Sequence, residues 1–498
     1  MSGKESGYYL LVLQSSSRAV SEDPVGAIVG AFSRLVARRP GDAMVVSRAR
    51  QATFADIDGL SRALADRVTA SPLAAGGLIG LAAPNGPAFL AGFLGLRRAR
   101  QTVVLLDPLA PAEERRRAVT AVGATAVLAC TNAWPDSIAD FQLVPVDSAT
   151  GHQSLSGIAA VKLTSGSTGV PRGVAMREEN LLADEAALAR AMGFRDDDRL
   201  LSALPLSHSY GFTTLALSAL VRGLTLVLPS DQGPFAPLAA ARELGATVFP
   251  TVPAYFQALL KMSQPPAWPS GLRLVISAGA VLPSATAVQF RETYKQPVHV
   301  FYGSSECGGI CYDREGGAAE RGTVGTPVDG VRISFKPFDQ DESLVIVESA
   351  GVGETYLPDR DSRLGAGRFE TNDVGAWQGG ELVLRRRVDR VINLRGRKVD
   401  PSEIEKVLAA LDGVDEAVVI GVTSPRGGEE IVRAVVACAD GRLTYQRVTA
   451  WCRQELADHK VPRSVIIVHA IPRTSRGKID RAALLQMGIS SDSGVAHG

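Results

Sequence analysis

Short runs of apolar residues recur between amphipathic stretches along most of this chain, at 78–83, 102–106, 126–129 and 225–228. Runs this short, bounded by polar turns, read as strands buried on both faces, and helical stretches between them carry the chain back across the sheet. The alternation implies α/β architecture. One connecting helix is predicted over 178–192, where Leu181, Leu182, Ala186, Leu188 and Met192 approximate a single face and Gly193 can end it. At 498 residues the chain is too long for one core, and a usual domain size implies roughly two to four units.

The C-terminal part follows a different pattern. Asp400-Pro401-Ser402-Glu403 places an N-cap acid, a proline at the first helical position and a glutamate at the third, a carboxylate form of the capping box. Ile404, Val407, Leu408 and Leu411 then form one apolar face that Gly413 can close. Strands are expected at 417–422, 431–439 and 464–468, with a helix over 444–457. This is a small α+β module of ordinary domain size. The run Arg385-Arg386-Arg387-Val388-Asp389-Arg390 marks its junction with the preceding part, and the Ser/Gly/Asp-rich tail at 488–498 is expected to be disordered.

Hydrophobic residues at 46% and charged residues at 21% describe a soluble globular protein. With 53 Lys+Arg against 52 Asp+Glu, the net charge of +1 supplies no global field for nucleic acid or anionic lipid, so a charged ligand has to be held locally. Five scattered cysteines argue against a disulfide framework and for a reducing, cytoplasmic setting. The first residues, MSGKESGYYLLVLQSSSRAV, make a poor signal peptide. The longest apolar region, 203–229, is interrupted by His208 and Arg222 and reads as core, so no transmembrane segment is expected.

The chemistry is concentrated in a loop. A strand-like run at 158–163 enters Thr164-Ser165-Gly166-Ser167-Thr168-Gly169-Val170-Pro171-Arg172-Gly173, and 174–176 continues as a second strand. Glycines permit close backbone approach, while successive N–H groups, hydroxyls and the Arg172 guanidinium can surround a polyphosphate. The GKS or GKT of a Walker A loop is not there. Taken alone, such a stretch reads better as a flexible hairpin loop.

Further motifs follow in order: Pro205-Leu206-Ser207-His208-Ser209-Tyr210-Gly211, Ser277-Ala278-Gly279-Ala280, Phe301-Tyr302-Gly303-Ser304-Ser305-Glu306, Phe369-Glu370-Thr371-Asn372-Asp373-Val374-Gly375, Arg387-Val388-Asp389, the stretch 391–405, and Pro472-Arg473-Thr474-Ser475-Arg476-Gly477-Lys478-Ile479-Asp480-Arg481. Together with the loop, this series resembles the signature of the adenylate-forming superfamily, which includes acyl-CoA synthetases, peptide-synthetase adenylation domains and luciferases. The resemblance implies a large N-terminal multi-subdomain α/β core over 19–388 and a small mobile α+β domain over 389–487.

The same resemblance distributes roles. Thr164, Ser165, Gly166, Ser167, Thr168, Gly169 and Arg172 would surround the phosphates of ATP, while Gly279, Ala280 and Gly303 would border the adenine on which Tyr302 stacks. Ser305 would face phosphate or carboxylate, Glu306 would hold Mg²⁺, Asp373 would accept both ribose hydroxyls, and Arg387 would contact ribose or phosphate. Asp389 is the implied hinge and Lys478 the implied catalytic lysine, acting with Glu306 and Thr164. His208, Phe212, Val252, Ala278, Cys307 and Gly308 are expected at the acyl pocket. The segment at 205–211 lacks the aspartate with which amino-acid-activating relatives pair an α-amine, which favours a carboxylic acid without one.

Four positions depart from the family pattern: Arg172, Asn372 and Arg386 in place of usual glycines at the latter two, and Asn393 in place of a common lysine. Asn372 is expected to be tolerated in left-handed backbone. Cys307 and Cys311 suggest a metal pair, but a zinc ribbon needs a second pair that the sequence lacks. The implied activity is that of an acyl-CoA or aryl-CoA synthetase using ATP, Mg²⁺ and CoA, with fatty acid metabolism as one setting. An acyl-AMP ligase loading carrier-protein phosphopantetheine shares every motif. A catalytically retired nucleotide- or acyl-binding relative would have lost Glu306, Asp373 or Lys478, and all three are present.

Overall fold

The structure is a computed structural model that describes residues 26–110, 112–146, 155–164, 172–230, 233, 235–339, 342–388, 392–394, 397–399, 401–423, 430–456, 460–474 and 478–487. Three sheets carry the larger part. In the first, the strand order is Thr355–Leu357, Arg172–Arg177, Ile158–Thr164, Thr102–Leu106, Leu78–Ala82, Ala126–Cys130 and Phe141–Pro145, parallel through its middle. Leu78–Ala82 and Thr102–Leu106 are buried at every position, as the unbroken apolar runs require of strands covered on both faces.

The second sheet runs Thr326–Pro327, Gly308–Tyr312, His299–Ser304, Leu274–Ala278, Val248–Thr251, Arg199–Leu201, Thr225–Val227, Ala43–Val46 and Gln51–Thr53. Its interior strands are parallel and its two ends turn antiparallel. Antiparallel pairing throughout distinguishes the third, which orders Arg332–Asp339, Glu342–Glu348, Arg368–Gln378 and Leu364–Gly365, with Glu381–Arg387 alongside Arg368–Gln378.

Helices seal these sheets, and their ends are fixed locally. Phe54–Thr69 starts at Thr53, whose hydroxyl accepts from Asp56 N while the Asp56 carboxylate accepts from Thr53 N, a complete capping box. Ala27–Arg38 is capped from far away in sequence. Glu178 Oε2 accepts from Ala27 N at 2.6 Å, and its other oxygen pairs with Arg97 at 2.9 Å, so a buried carboxylate meets the positive end of a helix and a guanidinium together. The helix predicted over 178–192 is Glu178–Ala191.

The described residues within 392–487 pack among themselves. Ile404, Leu408, Val432, Val436 and Val448 share one core, and Val418, Val435, Ile471 and Leu484 share another. Full burial of each such side chain contributes about 1.5–3 kcal/mol. Glu416–Thr423, Glu430–Ala437 and Ser464–Val468 form the sheet, with Pro401–Ala409 and Tyr445–Glu455 as helices. Pro401–Ala409 stops four residues before Gly413, because Leu411 already closes a turn through its N–H to Leu408 O. A Lys261–Asp415 pair at 3.0 Å joins the two parts; both side chains are well exposed, and such a pair contributes about 0–1 kcal/mol.

Among the described residues no helix is long and apolar enough to cross a membrane. All five cysteines are buried free thiols.

Candidate active site

Strands Ile158–Thr164 and Arg172–Arg177 pair so that Thr164 stands opposite Arg172, and Thr164 Oγ1 donates to Arg172 O at 3.3 Å. The mouth of the Gly/Ser-rich loop is thus closed on itself. Ser165, Gly166, Ser167, Thr168 and Gly169 lie outside the described residues, as do Asp389 and the tail.

Beside this mouth stands the hairpin of His299–Ser304 and Gly308–Tyr312, whose turn carries Ser305 and Glu306. Glu306 is held twice by the segment that follows residue 352. Its carbonyl accepts from Gly353 N at 2.8 Å, and its Oε1 accepts from Tyr356 Oη at 3.1 Å. Oε2 carries no hydrogen bond among the described residues. Tyr356 reaches this place because Thr355–Leu357 pairs with Arg172–Arg177, which also sets the Arg172 guanidinium 3.8 Å above the Tyr356 ring. Burial, with Glu306 beside it, pushes the Tyr356 hydroxyl well above its ordinary value, so it remains a protonated donor.

Two expected ribose-side residues meet a third. Tyr302 Oη donates to Asp373 Oδ2 at 2.6 Å, and Arg387 Nη1 lies 3.4 Å from Asp373 Oδ1 across the register pair Asp373–Arg387. Asp373 is buried, and its own N–H donates to Thr371 Oγ1. Burial and then the Asp373 charge raise the Tyr302 hydroxyl well above the usual phenol range. Gly279 and Ala280 follow strand Leu274–Ala278, next to His299–Ser304, and are exposed with Gly303. A Cβ on Gly279 would stand 3.8 Å from Val252 Cγ1, which places Val252 at the same edge.

The expected acyl-pocket residues divide. His208 is partly exposed, with Nε2 3.8 Å from Asp107 Oδ2, and the segment before it is shaped by Asn85, which donates to Leu204 O and accepts from Leu206 N. Phe212 is turned the other way. It is wholly buried edge-on against Phe93 and Phe89, so its ring serves the core, at the start of a π-helical stretch, Phe212–Leu217. Ala278, Cys307 and Gly308 are buried too, and burial pushes the Cys307 thiol up, away from reactivity.

Three departures from the motif pattern have visible partners. Asn372 does not adopt left-handed backbone: it sits within the extended strand Arg368–Gln378 and accepts from Arg363 Nη1 at 2.8 Å. Arg386 pairs with Glu342, donating through Nε at 3.0 Å. Arg172 donates to Asp361 and to Asp359 O. Lys478 is exposed in the C-terminal part, where its carbonyl accepts from Thr474 N and a bridge joins Arg473 to Ile479.

Sequence reasoning passed over a buried ion pair. Lys162 and Asp184 are 1% and 3% exposed, 3.9 Å apart, and Asp184 also accepts from Gly309 N at 2.9 Å and Thr213 Oγ1 at 3.1 Å. It ties the loop-bearing strand and the helix Glu178–Ala191 to the hairpin of Glu306. The signal was a single lysine inside the apolar run at 158–163.

A loop mouth, a partly exposed glutamate and a Tyr–Arg pair on buried Asp373 thus stand together, and the chain as a whole matches a known family. The AMP-binding enzyme family model matches residues 32–357, and the AMP-binding enzyme C-terminal domain matches residues 403–478. The chain belongs to the AMP-binding enzyme family.

Relatives in this family include a methyl-dioxo-octahydroindenyl-propanoyl:CoA ligase of Mycobacterium tuberculosis, 27% identical over 93% of this chain and 99% of the relative. A 2-succinylbenzoate–CoA ligase of Bacillus pumilus is 29% identical over 89% and 94%. The fold is that of the O-succinylbenzoate coenzyme A synthetase of Bacillus subtilis in complex with AMP, at TM-score 0.76 and 21% identity, covering 93% of this chain and 98% of that one.

Proposed function

We propose that this AMP-binding enzyme is an AMP-forming acid–thiol ligase that activates a carboxylic acid lacking an α-amine and transfers the acyl group to CoA. The observation that carries the reading is the convergence of Tyr302 and Arg387 on buried Asp373, next to a Glu306 whose carboxylate is engaged through Oε1 and, among the described residues, not through Oε2.

A carboxylate is a poor electrophile, and converting it to a mixed anhydride with AMP supplies a leaving group. The substrate carboxylate attacks the α-phosphorus of ATP and expels pyrophosphate, a step governed by positioning and charge neutralisation. Asp373 accepts from the ribose hydroxyls and Tyr302 faces the base, so the nucleoside is fixed while phosphate charge gathers at the loop mouth. Glu306 fits Mg²⁺: a hard cation takes one or two carboxylates and completes its shell with phosphate oxygens and water, and Oε2 is the oxygen available for it. The ion would neutralise developing phosphate charge. Lys478 approaches the α-phosphate when the C-terminal part swings in, and a further turn of that part then admits the thiol.

The two relatives named above act, by name, on ring-bearing acids, and a further relative, of Arabidopsis thaliana, on oxalate, so ring-bearing and small acids both enter the list of candidate substrates. CoA is favoured over a carrier protein as acceptor for the same reason, and a cytoplasmic setting accords with five buried free thiols. Pyrophosphate release is to be followed across short, long and ring-bearing acids, with CoA and a holo-carrier protein in competition. Acid-dependent release with thioester on CoA is expected. Thioester on the carrier alone overturns the acceptor, and release with no acid in the panel overturns the activity.

A further inference from the structure

Arg172 was expected to lie among the phosphate ligands, yet its guanidinium is engaged elsewhere. Nη1 donates to Asp361 Oδ2 at 3.3 Å, Nη2 donates to Asp359 O at 3.2 Å, and the flat face covers the Tyr356 ring. Asp361 is shared. Arg363 donates to its Oδ2 through Nη2 at 2.7 Å and to its Oδ1 through Nε at 3.1 Å, and Arg363 N donates to Oδ1 at 3.0 Å. The remaining arm of Arg363, Nη1, donates to Asn372 Oδ1 at 2.8 Å. One carboxylate thus holds two guanidinium groups that would otherwise repel each other.

The consequence lies in what the ends of this chain touch. One end is the closing strand of the loop mouth, at Thr164 and Arg172. The other is the residue next to Asp373. A branch through Tyr356 reaches Glu306. Two of the departures from the family pattern, Arg172 and Asn372, are therefore the two termini of one network whose middle, Asp361 and Arg363, belongs to no motif.

Resting on the reading of the site given above, we propose that Arg172, Asp361 and Arg363 are positioning residues that lock the loop mouth, Glu306 and the Asp373 strand into one unit before nucleotide arrives. Arg172 acts through this strap and not as a phosphate ligand. A planar guanidinium suits the task, since it stacks on Tyr356 and reaches two acceptors at once, which an ammonium does not.

The test compares the full chain with Arg172→Met, Asp361→Asn and the double variant. Amide exchange is followed by mass spectrometry without ligand, and ATP–pyrophosphate exchange is followed with a turned-over acid. Each single variant is expected to speed exchange of the peptide 368–378 about tenfold while the peptide 416–423 stays as in wild type, with the double no worse than the larger single, as coupled residues require. In turnover, kcat is expected to fall by about tenfold with KM for ATP nearly unchanged. Unchanged exchange at 368–378, additive variants, or a raised KM with kcat preserved would each overturn the strap. The amide arm needs no turnover, so a wild-type chain without acid-dependent exchange sinks the functional reading and leaves the strap to be judged separately.

Discussion

At Asp373 the physics of a single residue and the demands of the proposed reaction coincide. A buried carboxylate needs partners, and Tyr302 with Arg387 supplies a hydroxyl donor and a positive charge. The same logic sets Asp361, whose carboxyl is held well below the usual carboxylate range by side-chain hydrogen bonds from Arg363 first, with partial burial opposing. A carboxyl with a depressed native value gives stability that is complete above its unfolded value, near pH 4, and is lost as pH falls toward the native value. Asp361→Asn should therefore lower the urea midpoint clearly at about pH 7 and by less at about pH 3. An equal difference at both would contradict the ion-pair account.

Among the elements, the hairpin of His299–Ser304 and Gly308–Tyr312 decides where Glu306 stands, and Gly308 decides the hairpin. Its φ is +71, and a Cβ there would collide with the Asp184 carboxylate. Left-handed backbone costs an L-residue roughly 1–2 kcal/mol, and prising a buried carboxylate from its lysine costs about 3–5 kcal/mol. Gly308→Ala should thus destabilise the chain by at least about 2 kcal/mol in denaturant unfolding and lower adenylation; wild-type stability would refute the contact. Much at this scale was legible in advance. Ile158–Thr164, Thr102–Leu106 and Ser464–Val468 follow from apolar runs bounded by polar turns, and Tyr445–Glu455 lies within the helix expected over 444–457. The π-helical Phe212–Leu217 was not, because every one of its residues is apolar or small and buried, leaving no face for a period to mark. Nor were the partners of Arg172, since Asp361 lies 189 residues along the chain and only the pairing of Thr355–Leu357 with Arg172–Arg177 brings it near.

For the whole molecule, the described cores of the larger part and of residues 392–487 are separate, and the Lys261–Asp415 pair between them is exposed and cheap to break. Weak coupling suits the proposed reaction, in which two faces of the small C-terminal part are used in turn. The account therefore stands or falls on Lys478, which sits in that domain, far along the chain from Glu306 and Asp373, and which was assigned from its motif. The direct measurement is acid-dependent ATP–pyrophosphate exchange by Lys478→Ala beside wild type. A loss of about a hundred- to a thousandfold, with unfolding unchanged, is the predicted result; near-normal exchange in the variant would contradict the central claim.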